Sequence, residues 1–88
     1  MNRNFQIIIT GKVNARGLKL QTMMLAKKYH IAGMVTEKAN CILIDAEGDH
    51  LLIERFISAC EKMIRSEASN KLTVKENPLA YYDEFIIN

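Results

Sequence analysis

The apolar residues of this sequence recur with two different periods, and the order of those periods narrows the fold to a few architectures. Phe5, Ile7 and Ile9 alternate along residues 5–13, which are rich in β-branched side chains and therefore predict a first strand. From Leu18 the apolar residues recur every three or four positions, which predicts a helix that ends near His30. Two further β-like runs, 31–36 and 41–46, are joined by the polar residues 37–40, a connection of hairpin length.

In the second half of the chain a helical period is followed by two further β-like runs. Asp49 is a good N-cap for a second helix, whose buried face is predicted to contain Leu52, Phe56, Ala59 or Cys60, and Met63. Two short strands are predicted after it, at 72–76 and 81–87, separated by a turn at Pro78.

The predicted order is strand, helix, strand, strand, helix, strand, strand. Two helices on one face of a mostly antiparallel sheet form an α+β, ferredoxin-like two-layer α/β sandwich, βαββαβ with a C-terminal strand. Because 88 residues can bury only one core, a single domain over residues 1–88 is expected.

The charged residues are distributed unevenly along the chain. Residues 1–44 carry seven Lys or Arg and one acid, whereas residues 45–88 carry five Lys or Arg and nine acids, so the net charge of +2 conceals a strongly basic first half. This asymmetry predicts an anion site in the first half.

Several classes of protein are disfavoured by what the sequence lacks. No apolar run approaches the roughly 18 to 20 residues that span a bilayer, so no membrane association is expected. The N-terminus has no apolar stretch of signal-peptide length, so a cytoplasmic location is expected. The third strand carries no aromatic residue for base stacking, which argues against a nucleic-acid partner.

The cysteines and histidines do not form a metal-binding pattern. Cys41 and Cys60 are far apart and are predicted to be small buried apolar residues, while His30 and His50 lie in separate elements. No metal site and no cofactor are therefore expected.

The junction between the first strand and the first helix is the strongest candidate site. A polar loop with glycines that opens a helix presents unpaired backbone N–H groups, which bind phosphate or carboxylate with the help of the helix dipole. Cations at Lys12, Arg16 and Lys19 reinforce it. The predicted anion-binding residues are Asn14, Ala15, Arg16, Gly17, Leu18 and Lys19. The bland alternative is an ordinary helix start with solvated lysines.

At this junction the sequence resembles the acylphosphatase family, whose loop has the pattern G-x-V-x-G-V-x-F/Y-R. Gly11 and Val13 match it, Gly17 lies two residues after the position of its second glycine, and Leu18 stands in for the aromatic residue. The resemblance continues through residues 26–35, the run Ala46-Glu47-Gly48 and the closing strand 85–87. It implies hydrolysis of the carboxyl-phosphate bond of acyl phosphates without a metal, in which loop amides and an arginine clamp the phosphoryl group and an asparagine positions water.

The departures from the family pattern fall on the residues that perform this chemistry. The register places Lys19 at the arginine position and Glu37 at the asparagine position, so these are the candidate catalytic residues. Ala15 replaces a glycine, Arg16 replaces an apolar residue, and Asn14 stands where the family has glutamine. We predict that Lys19 and Glu37 form an ion pair; the alternative is two solvated charges that do not touch.

Three functions are compatible with these residues, so the sequence leaves open whether the protein is an enzyme. The favoured one is a catalytically impaired acylphosphatase relative that binds a phosphate-containing small molecule or another anion. The second is an active acylphosphatase in which Lys19 and Arg16 share the clamp and Glu37 orients water or acts as a base. The third is a protein-interaction module that uses a sheet edge near Tyr81 and Tyr82.

Overall fold

A computed structural model of the protein describes residues 1–11, 15–65 and 67–88, with residues 15 and 16 described by their backbone alone. Its elements follow the predicted order of strands and helices. They are β1 (Asn2–Thr10), α1 (Ala15–Lys28), β2 (Ala32–Lys38), β3 (Cys41–Asp49), α2 (His50–Met63), β4 (Lys71–Asn77) and β5 (Phe85–Ile87).

The five strands form one sheet in the order β4-β1-β3-β2-β5. The pairs β1–β3, β1–β4 and β2–β3 are antiparallel, and the short β5 pairs in parallel with β2. This mixed sheet and the two helices confirm the predicted ferredoxin-like α+β fold.

The core lies between the sheet and the helices, as the alternation in β1 predicted. Ile7 and Ile9 are fully buried and pair with Ile44 and Ile42 of β3, whose side chains are also fully buried. The rest of the core comes from the two helices, from β2 and β3 and from residues just after each helix, namely Leu18, Ala26, Ile31, Val35, Ala46, Ile53, Phe56, Cys60 and Ile64.

The second helix begins where its capping residue predicted. The carboxylate of Asp49 accepts a hydrogen bond from the backbone N–H of Leu51 at 3.1 Å, which satisfies one of the free donors of the first turn. Its buried face is Ile53, Phe56 and Cys60, while Leu52 is only half-buried. Leu52 and Met63 are half-buried and pack against the core, so the predicted face is confirmed, while its most buried position at this end of the helix is Ile53, which was not predicted.

Several predicted strand boundaries were wrong, beginning with the first strand, which is Asn2–Thr10 and not 5–13. The β2–β3 connection is the two-residue turn 39–40, so Glu37 lies inside β2 and pairs with Ile42. The last strand begins at Phe85 and not at Tyr81, because the N–H groups of Ala80 and Tyr82 donate to a side chain instead of to a strand.

The two cysteines differ in burial. Cys60 is fully buried, whereas Cys41 is partly exposed at the start of β3, so the prediction that both are buried holds only for Cys60. Within the described ranges no group of His, Cys, Asp or Glu is arranged to hold a metal ion. None of the described helices has the length and apolarity needed to cross a membrane.

Candidate anion-binding site

The first turns of α1 and the end of β2 bring Lys19 and Glu37 together. Glu37 pairs with the fully buried Ile42, so its side chain leaves the sheet on the side that the helices cover. The Lys19 Nζ lies 3.8 Å from the Glu37 Oε1, which confirms the predicted ion pair. The lysine side chain is 22% exposed and the glutamate side chain 54% exposed, so the pair lies at the protein surface with the lysine the more enclosed partner.

The distance between these two groups shows what kind of contact they make. At 3.8 Å the ammonium and the carboxylate attract each other, but they are farther apart than a hydrogen bond allows. Exposed pairs of this kind contribute only about 0.2 to 1 kcal/mol to stability. Either partner can therefore exchange the other for a ligand at little cost.

The N-terminus of α1 lies beside this pair and supplies a favourable field for anions. An α-helix leaves its first four N–H groups without intrahelical partners, and its dipole places positive potential there. The first turn of α1 carries no acidic residue that would cancel that potential. Leu18 is buried in the core, so it can serve an anion only through its backbone.

Only some of the predicted site residues lie in the described part of the structure. Gly17, Leu18 and Lys19 lie in the first turns of α1, and Lys19 meets Glu37. Ala15 and Arg16 open the same helix, but their side chains lie outside the described part of the structure. Asn14 falls outside the described residues, as do Lys12 and Val13.

The chain enters the candidate loop through Gly11, whose conformation explains why a glycine stands there. Its φ is +120°, which side-chain-bearing residues rarely adopt, and a Cβ on it would lie 2.5 Å from the Asn70 Oδ1 and 2.7 Å from the Ser69 carbonyl oxygen. The Asn70 side chain in turn donates to the Ile64 carbonyl oxygen at 3.2 Å. The end of β1 is thus packed against the connection that follows α2.

The most buried acid of the described chain lies at the other end of β3 and was not predicted to have a role. The Glu47 carboxylate accepts hydrogen bonds from the Asn4 Nδ2 at 3.1 Å and from the backbone N–H groups of Ala80 at 2.6 Å and Tyr82 at 2.8 Å. Burial alone would raise the pKa of Glu47, but these hydrogen bonds to the ionised form outweigh it and lower the pKa.

A second contact holds the same segment. The Tyr82 hydroxyl donates to the Asp45 Oδ2 at 2.9 Å, and burial together with that carboxylate raises the pKa of Tyr82. Glu47 and Asp45 therefore attach residues 80–82 to β3. The only sequence signal for this was the run Ala46-Glu47-Gly48, which places a charged residue between small residues in a buried strand.

Comparisons with known proteins agree on one family. The acylphosphatase family model matches residues 5–87. An acylphosphatase of Ligilactobacillus salivarius (strain UCC118) is 30% identical to this chain over 87 residues, which cover 97% of both proteins.

Solved structures show the same fold. The crystal structure of acylphosphatase from Bacillus subtilis superposes with a TM-score of 0.81 at 24% identity and covers 100% of this chain and 99% of its own. Full-length HypF in its phosphate- and nucleotide-bound form matches with a TM-score of 0.86 at 26% identity. That match covers all of this chain but only 12% of the HypF chain.

Proposed function

Because the chain belongs to the acylphosphatase family, we propose that it binds a phosphate-type anion at the N-terminus of α1 and hydrolyses acyl phosphates only slowly. The observation that carries this proposal is the ion pair between Lys19 and Glu37, 3.8 Å apart at the two positions where the resembled family has arginine and asparagine. Residues 1–88 act in this proposal as one acylphosphatase-like domain, which the family match over residues 5–87 supports.

The lysine preserves attraction for phosphate but loses geometric control. Arginine offers a planar fork of donors that holds two oxygens of a phosphoryl group at once, whereas lysine offers a compact charge on a flexible chain. Lys19 can therefore bind the anion together with the positive potential at the N-terminus of α1, but it orients the phosphorus poorly for attack by water.

The glutamate opposes the reaction more directly. An ionised carboxylate cannot donate a hydrogen bond, so Glu37 cannot present the donor face that an asparagine amide has. A unit charge about 4 Å from an anion costs on the order of 4 kcal/mol at an effective dielectric constant near 20. At about 1.4 kcal/mol per factor of ten, that repulsion sets an upper limit of roughly a thousandfold on the rate loss, because a carboxylate that is 54% exposed is partly screened by solvent.

One observation favours the alternative of an active hydrolase. The Glu37 side chain is 54% exposed and meets Lys19 through Oε1, so its exposed carboxylate has room to accept a proton from a water molecule. In that reaction the water oxygen would attack phosphorus, the P–O bond to the acyl group would break, and the carboxylate product would leave with the bonding electrons. Glu37 would then act as a general base.

Hydrolysis of benzoyl phosphate distinguishes these two functions. We would compare the wild-type protein with the double variant Lys19→Arg, Glu37→Asn, which restores both family residues. Slow wild-type turnover and a gain of roughly a hundredfold or more in kcat/KM for the double variant are expected.

A matched control makes the same two chemical changes elsewhere. Lys62→Arg with Glu61→Asn alters two exposed residues near the C-terminal end of α2 and should leave turnover unchanged. Fast wild-type turnover that falls in the Lys19→Arg, Glu37→Asn variant would overturn the proposal and establish the active hydrolase with Glu37 as its base.

A further inference from the structure

We infer that this site selects phosphoryl compounds that carry an ammonium group close to the phosphoryl group, such as aminoacyl phosphates, and that Glu37 is the residue that selects them. This inference rests on the proposed phosphate binding at the N-terminus of α1 and names the class of ligand that the site prefers. It follows from the placement of one cation and one anion 3.8 Å apart beside a helix N-terminus.

A phosphate that carries no positive group would compete with Glu37 for Lys19. Binding at Lys19 draws the ammonium away from Glu37, so that, among the side chains that the structure describes, the Glu37 carboxylate loses its cation and lies beside a phosphate dianion. Glu37 is the single acid among residues 1–44, so the unfavourable contact has one identifiable source.

An ammonium group on the ligand removes this competition. The phosphoryl group pairs with Lys19 at the positive end of α1, while the ligand ammonium takes the place of Lys19 beside Glu37. One loose ion pair, beyond hydrogen-bond distance, is thereby exchanged for two direct charge-assisted contacts. In glycyl phosphate four bonds separate the ammonium nitrogen from phosphorus, so the two charged ends can reach two protein groups that lie this close.

The surroundings of Glu37 leave its carboxylate available for such a ligand. Its side chain is 54% exposed, so a ligand can approach it from solvent. Lys38 follows it in the sequence but pairs with Cys41 on the opposite face of the sheet, because successive strand residues point to opposite sides. Of the side chains described in the structure, Lys19 is therefore its cationic partner on the side that the helices cover.

A pair of stable ligands tests the inference without any turnover. In 3-aminopropylphosphonate, four bonds separate nitrogen from phosphorus, as in glycyl phosphate, and butylphosphonate replaces the ammonium with a methyl group of similar size. Calorimetric titrations would measure both ligands and inorganic phosphate against the wild-type protein, Glu37→Gln and Lys19→Gln. Glu61→Gln removes one exposed carboxylate on α2 and serves as the matched control.

The wild-type protein and the Glu61→Gln control should bind 3-aminopropylphosphonate on the order of tenfold more tightly than butylphosphonate. Glu37→Gln should abolish this preference and bind butylphosphonate and inorganic phosphate more tightly than the wild type does. Lys19→Gln should weaken all three ligands.

These titrations distinguish a failure of the proposed phosphate binding from a failure of the selection by Glu37. If the wild-type protein binds both phosphonates equally in a manner that requires Lys19, phosphate binding stands and the selection by Glu37 is overturned. If the preference survives in Glu37→Gln, the selecting group is not Glu37 and the inference is equally overturned. If no phosphonate and no inorganic phosphate bind, both the proposed phosphate binding and this inference fail.

Discussion

The buried carboxylate of Glu47 accepts a hydrogen bond from the backbone N–H of Ala80 at 2.6 Å. This bond attaches the segment between β4 and β5 to the central strand of the sheet. With the N–H of Tyr82 and the side chain of Asn4 it gives the carboxylate three donors. A buried charge is tolerated when its acceptor capacity is satisfied in this way. Glu47 therefore accepts the hydrogen bonds of the Ala80 and Tyr82 N–H groups, as the carbonyl groups of a neighbouring strand would in a sheet.

Replacing this carboxylate should destabilise the fold. Glu47→Gln keeps the size of the side chain but substitutes an NH2 group for one acceptor, so a backbone N–H is left without its partner. We expect the free energy of unfolding to fall by about 1 to 3 kcal/mol. Urea unfolding followed by circular dichroism measures the change, with the exposed Glu61→Gln as control. Equal losses in the two variants would contradict this account of Glu47.

The same residue predicts the direction of a pH effect. Hydrogen bonding lowers the pKa of Glu47 in the folded state below its value in the unfolded chain, about 4.3. Its stabilisation is therefore fully present above that unfolded value and is lost as the pH falls through the folded value. The wild type should lose more stability than Glu47→Gln between pH 6 and pH 3. Parallel stability curves for the two proteins over that range would refute the prediction.

Gly33 should tolerate no side chain, whereas Gly48 should tolerate a small one. The φ of Gly33 is +140°, and a Cβ on it would overlap the carbonyl oxygen of Asp45 in the neighbouring strand. Gly33→Ala should cost about 3 kcal/mol or more in the free energy of unfolding. A Cβ on Gly48 would meet the flexible end of the Ile31 side chain at 3.1 Å, so Gly48→Ala should cost less than about 1.5 kcal/mol. Thermal and urea unfolding measure both losses of stability, and a larger loss for Gly48→Ala than for Gly33→Ala would contradict the prediction.

The two cysteines should differ in reactivity with alkylating reagents. Burial, with a smaller contribution from the charge of Glu61, raises the pKa of Cys60 to about 12, so at pH 8 only about one in ten thousand of its thiols is the reactive thiolate. Cys41 is partly exposed. Iodoacetamide should label Cys41 and leave Cys60 unlabelled until the protein is unfolded in urea. Peptide mass spectrometry measures both sites, and rapid native labelling of Cys60 would disprove its burial.

Local periodicity accounts for much of the fold. The alternation of Phe5, Ile7 and Ile9 and the helical spacing after Leu18 predicted the order of elements, because burial on one face imposes a period of two on a strand and about 3.6 on a helix. The N-cap at Asp49 was equally readable, since it depends on contacts within one turn. Local periodicity did not predict that Lys19 lies beside Glu37. That prediction came from the register of the resembled family, which fixes where α1 lies along β2.

The contacts between distant segments were decided by the tertiary structure alone. How α2 is rotated against the sheet decides that Ile53 is fully buried whereas Leu52 is only half-buried against the core, and both fit the same period. The strand predicted from Tyr81 begins only at Phe85, because the acceptor for the preceding N–H groups is the carboxylate of Glu47, more than thirty residues away in the chain. A sequence shows which residues are apolar or need a hydrogen-bond partner, but it does not show which distant residues will cover them or bond to them. That choice is made when the elements pack.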